Sequence, residues 1–151
     1  MRRRLYLTLA VVAVLLPAAS AFGQREDRRR YTKYEVERLI RRVEENGNLL
    51  KKYVDSDIDK TRLNDTPRED RIWEQVKQLE EATNDLRKHF DRTDRWQETR
   101  TQVQAVMREA RDVGRILSRY RISERVQYTW KKMRHELNSL ATVYDLPLLD
   151  R

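Results

Sequence analysis

Four arginines in the second half of the chain are the side chains best spaced to bind a ligand. Arg108, Arg111, Arg115 and Arg119 follow one another at steps of three and four residues, so a helix would bring them to one side. Guanidinium groups recognise carboxylates and phosphates. We therefore expect an anionic partner there: an acidic protein, an anionic envelope polymer or lipid head groups. The alternative is that these arginines pair with acids of the preceding, acid-rich helix.

Three aspartates resemble the start of a calcium-binding loop. Asp55, Asp57 and Asp59 form a D-x-D-x-D pattern, whose carboxylates could converge on a hard cation. The glycine and the glutamate that such a loop needs at its sixth and twelfth positions are a lysine and a threonine here. We therefore expect a solvated acidic loop over residues 55–65 without a metal, in which Asp57→Asn has little effect.

Histidine and cysteine chemistry finds little support in the sequence. Glutamate does not occupy the third position before either His89 or His135, so the Glu-x-x-His pairs of di-iron bundles are missing. His135 falls between two core positions and should point outward, while His89 flanks the core beside Phe90, so we expect no haem. The chain has no Cys, and no Ser-His-Asp triad stands out. We expect a non-enzymatic protein without a cofactor.

The first residues have the composition of a secretory signal. Arg2, Arg3 and Arg4 precede an apolar run that ends before Pro17, and the small residues up to Ala21 suit a cleavage site. The run is shorter than the roughly 20 residues that a membrane span needs. We expect residues 1–21 to be cleaved and the protein to be periplasmic or extracellular, with membrane contact only before cleavage. An uncleaved anchor is the alternative.

The charge of the mature chain does not favour nucleic acid. The formal net charge is +8, and removal of the three signal arginines lowers it to +5. Nucleic-acid binding needs clustered basic residues, whereas most Lys and Arg here alternate with Glu and Asp. We expect no nucleic-acid partner and a monomer or weak dimer.

The elements that would carry these side chains are helical. The chain has only 3 Gly and 3 Pro in 151 residues, too few turn formers for a many-stranded sheet. Four segments place apolar residues at alternating three- and four-residue steps, and two of the connections between them are short. We expect an all-α, antiparallel four-helix bundle over residues 32–146. A flexible basic segment, residues 22–31, would precede it and a tail, residues 147–151, would follow.

Capping residues mark where these helices should begin. A side chain that accepts a free backbone N–H at the first turn stabilises a helix start. We expect capping boxes at Thr32 with Glu35 and at Thr66 with Glu69. Asp91 or Thr93 should cap the third helix, and Ser123 the fourth.

Two stretches of the chain repeat one another. Residues 36–53 align with residues 103–120 without a gap and superpose Gly47 on Gly114, so we interpret the bundle as two helical hairpins of common origin. Glycine inside a helix costs about 1 kcal/mol relative to alanine. Close approach of a neighbouring helix or a large side chain would explain both glycines. A turn at Gly47 and a small internal pocket are the alternatives.

Residues 61–66, 79–90 and 137–146, together with Trp130, carry a wider similarity. These stretches resemble a group of small exported helical proteins of environmental bacteria that have no assigned function. The resemblance implies export and helical architecture and brings no catalytic or ligand motif. We therefore expect an exported helical protein that binds a macromolecule or associates with the envelope. The alternative is a small-ligand or metal carrier that uses the bundle interior or the acidic loop.

Overall fold

The computed structural model of the protein describes residues 31–150, and the regular secondary structure of this part of the chain is helical. It contains α1 (Lys33–Ile58), α2 (Pro67–Arg92), a 3-10 turn (Trp96–Thr99), α3 (Arg100–Arg119) and α4 (Glu124–Val143), with no β-strand among these residues. The predicted signal segment, residues 1–21, and the basic segment up to residue 30 lie outside the described residues. Tyr31, the last residue of that segment, packs against the core.

Each helix buries the apolar side that its sequence periodicity predicts. An amphipathic helix is stabilised when this stripe is removed from water against its neighbours. Phe90, Met107 and Leu137 are at most 2% exposed, and the other large core side chains are similarly covered. The buried apolar series of α1 and α3 are Val36, Ile40, Val43, Leu50, Val54, Ile58, Val103, Val106, Met107, Ala110, Val113 and Leu117.

The helices differ in how extensively they pack against one another. α1 packs against both α2 and α4, and α2 packs against α3, whereas α3 and α4 share a much smaller contact. Lys33 at the start of α1 donates to the carbonyl of Thr93, just past the end of α2, with an N–O distance of 2.6 Å. Arg42 of α1 pairs with Glu136 of α4 at 2.9 Å. The thin contact between α3 and α4 leaves a groove on the surface.

The caps of α1 and α4 confirm the sequence predictions, and the cap of α2 differs in one bond. Thr32 and Glu35 form the reciprocal capping box, and Ser123 accepts the N–H of Val126 at 3.3 Å. Thr66 caps α2, but the Glu69 carboxylate accepts the N–H of Asp65 at 2.6 Å rather than that of Thr66. Asp65 has a left-handed φ of 57°. The N–H of Thr66 donates to the carbonyl of Leu63 instead.

The predicted cap of the third helix is wrong. α2 continues through Asp91, which is therefore a helix interior residue, and Thr93 follows its end. Thr93 Oγ1 accepts the N–H of Arg95 at 3.3 Å and donates to Glu98 at 2.7 Å. The 3-10 turn then leads directly into α3, so neither Asp91 nor Thr93 caps it.

The loop predicted for residues 55–65 is also wrong in its first part. α1 runs without interruption past Gly47, which excludes a turn there, and it ends only at Ile58. Ile58 is 2% exposed because it lies one turn after buried Val54 and continues the same apolar stripe. The connection to α2 therefore consists of residues 59–66 alone, and Asp57 belongs to a helix.

Candidate functional site

The four arginines singled out by their spacing lie exposed along α3. Arg115 pairs with Asp112 of its own helix, and Arg111 donates to the carbonyl of Pro147 at 3.4 Å. Within residues 31–150 no ion pair joins any of the four to an acid of α2. The α2 acids pair instead with bases of α1 and α2, as Glu80 does with Lys51 at 3.4 Å. The described residues therefore do not form the alternative arrangement, in which acids of α2 pair with these arginines.

Three of these arginines border the groove between α3 and α4. The groove has a volume of about 660 Å³. Its lining combines apolar and polar groups with four guanidinium groups and two carboxylates: Ala110, Gly114, Trp130, Leu149, Ser118, Gln127, Arg108, Arg111, Arg115, Arg134, Asp112 and Asp150. Arg119 does not line it. Sequence reasoning missed Arg134, although its position one turn after Trp130 on α4 places the two side chains on the same side of that helix.

Gly114 and Trp130 explain how the floor of the groove forms. A Cβ atom at position 114 would lie 3.0 Å from Cζ2 of Trp130, closer than side chains normally approach. The missing side chain thus lets the indole ring lie directly against α3, as the expected close approach requires. Gly47 has different neighbours, because a Cβ there would meet Thr83 Oγ1 at 3.1 Å and Met133 Cε at 3.4 Å. Neighbouring side chains thus crowd both glycines, and Gly114 also lines the groove.

The C-terminal segment returns along α4 and enters one end of the groove. α4 ends at Val143, and Asp145 adopts a left-handed φ of 53°, which reverses the chain. The side-chain amide of Asn138 then accepts the N–H of Leu149 at 2.7 Å and donates to its carbonyl at 3.4 Å. Arg134 donates to the carbonyl of Asp150 at 3.4 Å. The sequence alone predicts a tail at residues 147–151 and gives no sign of this contact.

The two leucines of this segment have opposite surroundings. Leu149 is 7% exposed and lines the groove, whereas Leu148 is 55% exposed. Successive side chains of an extended segment point in opposite directions. The segment therefore presents one apolar side chain to the protein and one to solvent, as an extended peptide does when it binds a groove.

A second polar cluster joins the end of α1 to the start of α4. The carboxylate of Asp57 accepts Nε of Arg125 at 2.5 Å and the hydroxyl of Ser123 at 2.6 Å, and it also pairs with Lys60 at 3.3 Å. The Asp57 side chain is 8% exposed. Hydrogen bonds from Arg125, Ser123 and Lys60 hold the pKa of Asp57 well below its usual range, despite the opposing effect of burial. The expectation that Asp57 is solvated is therefore wrong, and these contacts lead us to expect that its replacement destabilises the protein.

The other aspartates of the D-x-D-x-D pattern do not join Asp57. Asp55 accepts the indole N–H of Trp73 at 3.2 Å, and Asp59 lies exposed at the C-cap of α1. Residues two apart on a helix point to different sides, so the helix itself separates these carboxylates. In residues 31–150 no three His, Cys, Asp or Glu side chains are grouped closely enough to hold a metal ion.

The histidines occupy the positions that their spacing predicts, and the methionines of α3 and α4 belong to the core. His135 and His89 are both exposed, and Nδ1 of His89 lies 3.0 Å from the carbonyl of Asp85. Met107 and Met133 are buried as part of the core. The groove is therefore the feature of the described residues that best suits a ligand, and its side chains suit binding of anionic and apolar groups.

Comparisons of the chain with protein-family models, with curated proteins and with solved structures found no match. None of the helices within residues 31–150 has both the length and the apolar character needed to cross a membrane.

Proposed function

We propose that the protein is an exported, non-enzymatic helical protein that binds an anionic macromolecule, either an acidic protein or an anionic component of the envelope. The observation that carries the proposal is the meeting of Arg108, Arg111 and Arg115 of α3 with Arg134 of α4 around one groove. Guanidinium groups bind carboxylates and phosphates through paired, charge-assisted hydrogen bonds. Their arrangement over an apolar floor suits a partner that carries both acids and apolar groups.

Export is supported by the composition of the first 21 residues, an arginine cluster followed by an apolar run and a small-x-small site. On this proposal the mature chain begins at Phe22 and is periplasmic or extracellular. N-terminal sequencing of the expressed protein tests it. Retention of Met1 in the membrane fraction would favour an uncleaved anchor.

We also propose that the four helices form an antiparallel bundle of two repeated hairpins, monomeric or weakly dimeric. Contacts between opposite helix ends support the antiparallel order: Lys33 of α1 meets Thr93 beyond α2, and Asp57 near the end of α1 meets Ser123 before α4. The alignment of Gly47 with Gly114 supports the repeat. Sedimentation at increasing concentration tests the oligomeric state.

Binding of a labelled polyglutamate chain, measured by fluorescence anisotropy, tests the arginine groove. Interactions between solvated charges weaken with salt because the Debye length falls from about 30 Å at 0.01 M to about 8 Å at 0.15 M ionic strength. We expect the affinity to fall steeply over this range. Arg111→Gln with Arg115→Gln should weaken binding about tenfold at low salt, since each lost charge-assisted contact is worth roughly 0.7 kcal/mol when exposed.

The matched control replaces Lys131 and Lys132 of α4 by Gln. Both lysines are exposed and lie outside the groove, and the change in net charge is the same. This control should bind polyglutamate like the wild type. Equal weakening by the two double variants would mean that net charge alone attracts the probe, which contradicts a specific arginine groove.

A small-ligand carrier is the second candidate, and the groove itself favours it. Its volume of about 660 Å³ lies within the roughly 300–1,000 Å³ typical of small-molecule sites, and the Trp130 indole contributes to its lining. A native mass spectrum of protein purified from its exported location distinguishes the candidates. A retained small molecule would favour the carrier, and a retained acidic protein the first proposal. The acidic segment does not favour the metal-carrier version, because Asp55 and Asp57 bind different partners and Asp59 lies exposed.

A further inference from the structure

We propose that residues 147–150 are an internal occupant of the α3–α4 groove, and that an extended segment of a partner protein, apolar and then acidic in sequence, binds the groove by displacing them. The inference rests on the proposed function, because it names the class of anionic partner that the same groove accepts. It adds a recognition element, Asn138, and a competitor built into the chain.

Backbone recognition by Asn138 is the first step. A carboxamide offers one acceptor and two donors, and here it binds both the N–H and the carbonyl of Leu149. This pairing uses backbone groups that every residue except proline possesses. It therefore holds an extended chain without reading its side chains, and an external segment can make the same two hydrogen bonds.

Side-chain recognition beside Asn138 is apolar. Leu149 is buried in the groove while the adjacent Leu148 is exposed, so a single apolar side chain per two residues contacts the protein. An external segment with a leucine at this position would bury the same surface. This requirement distinguishes an apolar-acidic peptide from a purely charged polymer.

The arginines give an acidic segment its advantage over the internal one. Arg111 and Arg134 each give one hydrogen bond of 3.4 Å to a backbone carbonyl of residues 147–150 within the described chain, although a guanidinium carries five N–H donors. Carboxylates bind these donors more strongly than neutral carbonyls do. Gly114 and Trp130 also line the groove, so a longer segment can contact these residues as well.

A tethered segment competes at a high effective concentration, which is in the millimolar range for short connections. An external peptide therefore binds the wild type more weakly than it would bind an open groove. Weakening the internal segment should strengthen the binding of an external one. If residues 147–150 are instead a rigid part of the binding surface, weakening them should weaken the binding of an external peptide.

The test uses the full chain and a fluorescein-labelled peptide of sequence Pro-Leu-Leu-Asp-Asp-Glu. Leu149→Ser removes the buried side chain of the internal segment, and Leu148→Ser is the matched control at an exposed leucine. We expect Leu149→Ser to bind the peptide about tenfold more tightly than the wild type, and Leu148→Ser to bind it as the wild type does. Adding Asn138→Ala to Leu149→Ser should abolish the gain. Equal affinity of the wild type and both serine variants would overturn the inference.

A measurement on the wild type keeps the test decisive if Leu149→Ser does not fold. In a ¹H–¹⁵N spectrum, saturating peptide should move the backbone amide signal of Leu149 and the side-chain amide signals of Asn138. A peptide that binds without moving the Leu149 signal refutes displacement.

The two proposals fail in different ways. Polyglutamate binding that depends on Arg111 and Arg115, combined with equal peptide affinity of the serine variants, leaves the proposed function standing and overturns the displacement. Polyglutamate binding that is unchanged by the arginine variants overturns the proposed function itself.

Discussion

Replacing Asp57 by asparagine should destabilise the protein, although its sequence context is that of a solvated turn. The Asp57 carboxylate lies between α1 and α4 and is bound by Arg125, Ser123 and Lys60. Asparagine has nearly the same shape and keeps one acceptor oxygen, but it carries no charge. The substitution therefore removes the charge that holds Arg125 against the helix end while leaving the packing intact.

The magnitude follows from the number and exposure of these bonds. A hydrogen bond to a charged group contributes roughly 1.5–3 kcal/mol. Arg125 has a side-chain exposure of 48%, so solvent screens part of the pairing. We expect Asp57→Asn to lower the free energy of unfolding by about 2 kcal/mol. For a folded part of this size that corresponds to a fall in melting temperature of about 8 °C.

The pH dependence supplies an independent check. The pKa of Asp57 is lower in the folded protein than the value of about 3.9 expected in the unfolded chain. Its stabilising contribution is therefore fully present above about pH 4 and is lost as the pH falls further toward the folded pKa. The difference in melting temperature between the wild type and Asp57→Asn should be full at pH 7 and should shrink below about pH 4.

Thermal unfolding followed by circular dichroism measures both effects. Asp59→Asn is the matched control, because Asp59 has the same side chain and lies exposed two residues away. This control should melt close to the wild type. Melting of Asp57→Asn within about 1 °C of Asp59→Asn at pH 7, which is well under the shift that 1 kcal/mol produces, would refute the assignment of Asp57 as a stabilising link.

Further predictions concern the core. Leu137→Ala should lower the free energy of unfolding by about 2–5 kcal/mol through lost burial and a cavity, whereas Leu148→Ala should change it by less than about 0.5 kcal/mol; urea unfolding compares them. Gly47→Ala should lower the free energy of unfolding by about 1 kcal/mol, because crowding by Thr83 and Met133 exceeds the gain in helix propensity. Stabilisation in the same urea experiment would contradict this. Tyr144→Phe should cost about 1 kcal/mol, since its hydroxyl bonds Thr99 at 2.7 Å; unchanged unfolding would refute that role.

The buried faces of the helices could be predicted from the sequence because helical periodicity is a local property. Along each helix the buried positions recur at steps of three and four residues. One example from each helix is Val36, Val76, Val106 and Leu140, and all four are at most 1% exposed. The caps at Thr32 and Ser123 were equally predictable, since they depend on residues within one turn. The end of α1 could be predicted from the same periodicity, because Val54 and Ile58 extend the apolar stripe by one more turn.

The contacts of Asp57 and of the C-terminal segment could not be predicted in this way. Asp57 and Ser123 are 66 positions apart in the chain, and their meeting depends on how two helices pack rather than on any local spacing. Asn138 likewise gains its role only because Asp145 reverses the chain. The arginine spacing did predict one side of the groove, whereas Arg134 on the other side required knowledge of which helices face each other.

The uneven packing of the helices determines where the folded chain opens at the lowest cost in free energy. Extensive packing joins α4 to α1, α1 to α2, and α2 to α3, whereas the contact between α3 and α4 is small. Separating α3 from α4 therefore exposes less apolar surface than opening any other neighbouring pair, so hydrogen exchange by partial opening should be fastest along this line. A ligand held between these two helices would bridge the weakest line of the fold, and by mass action its binding would raise the melting temperature of the whole domain.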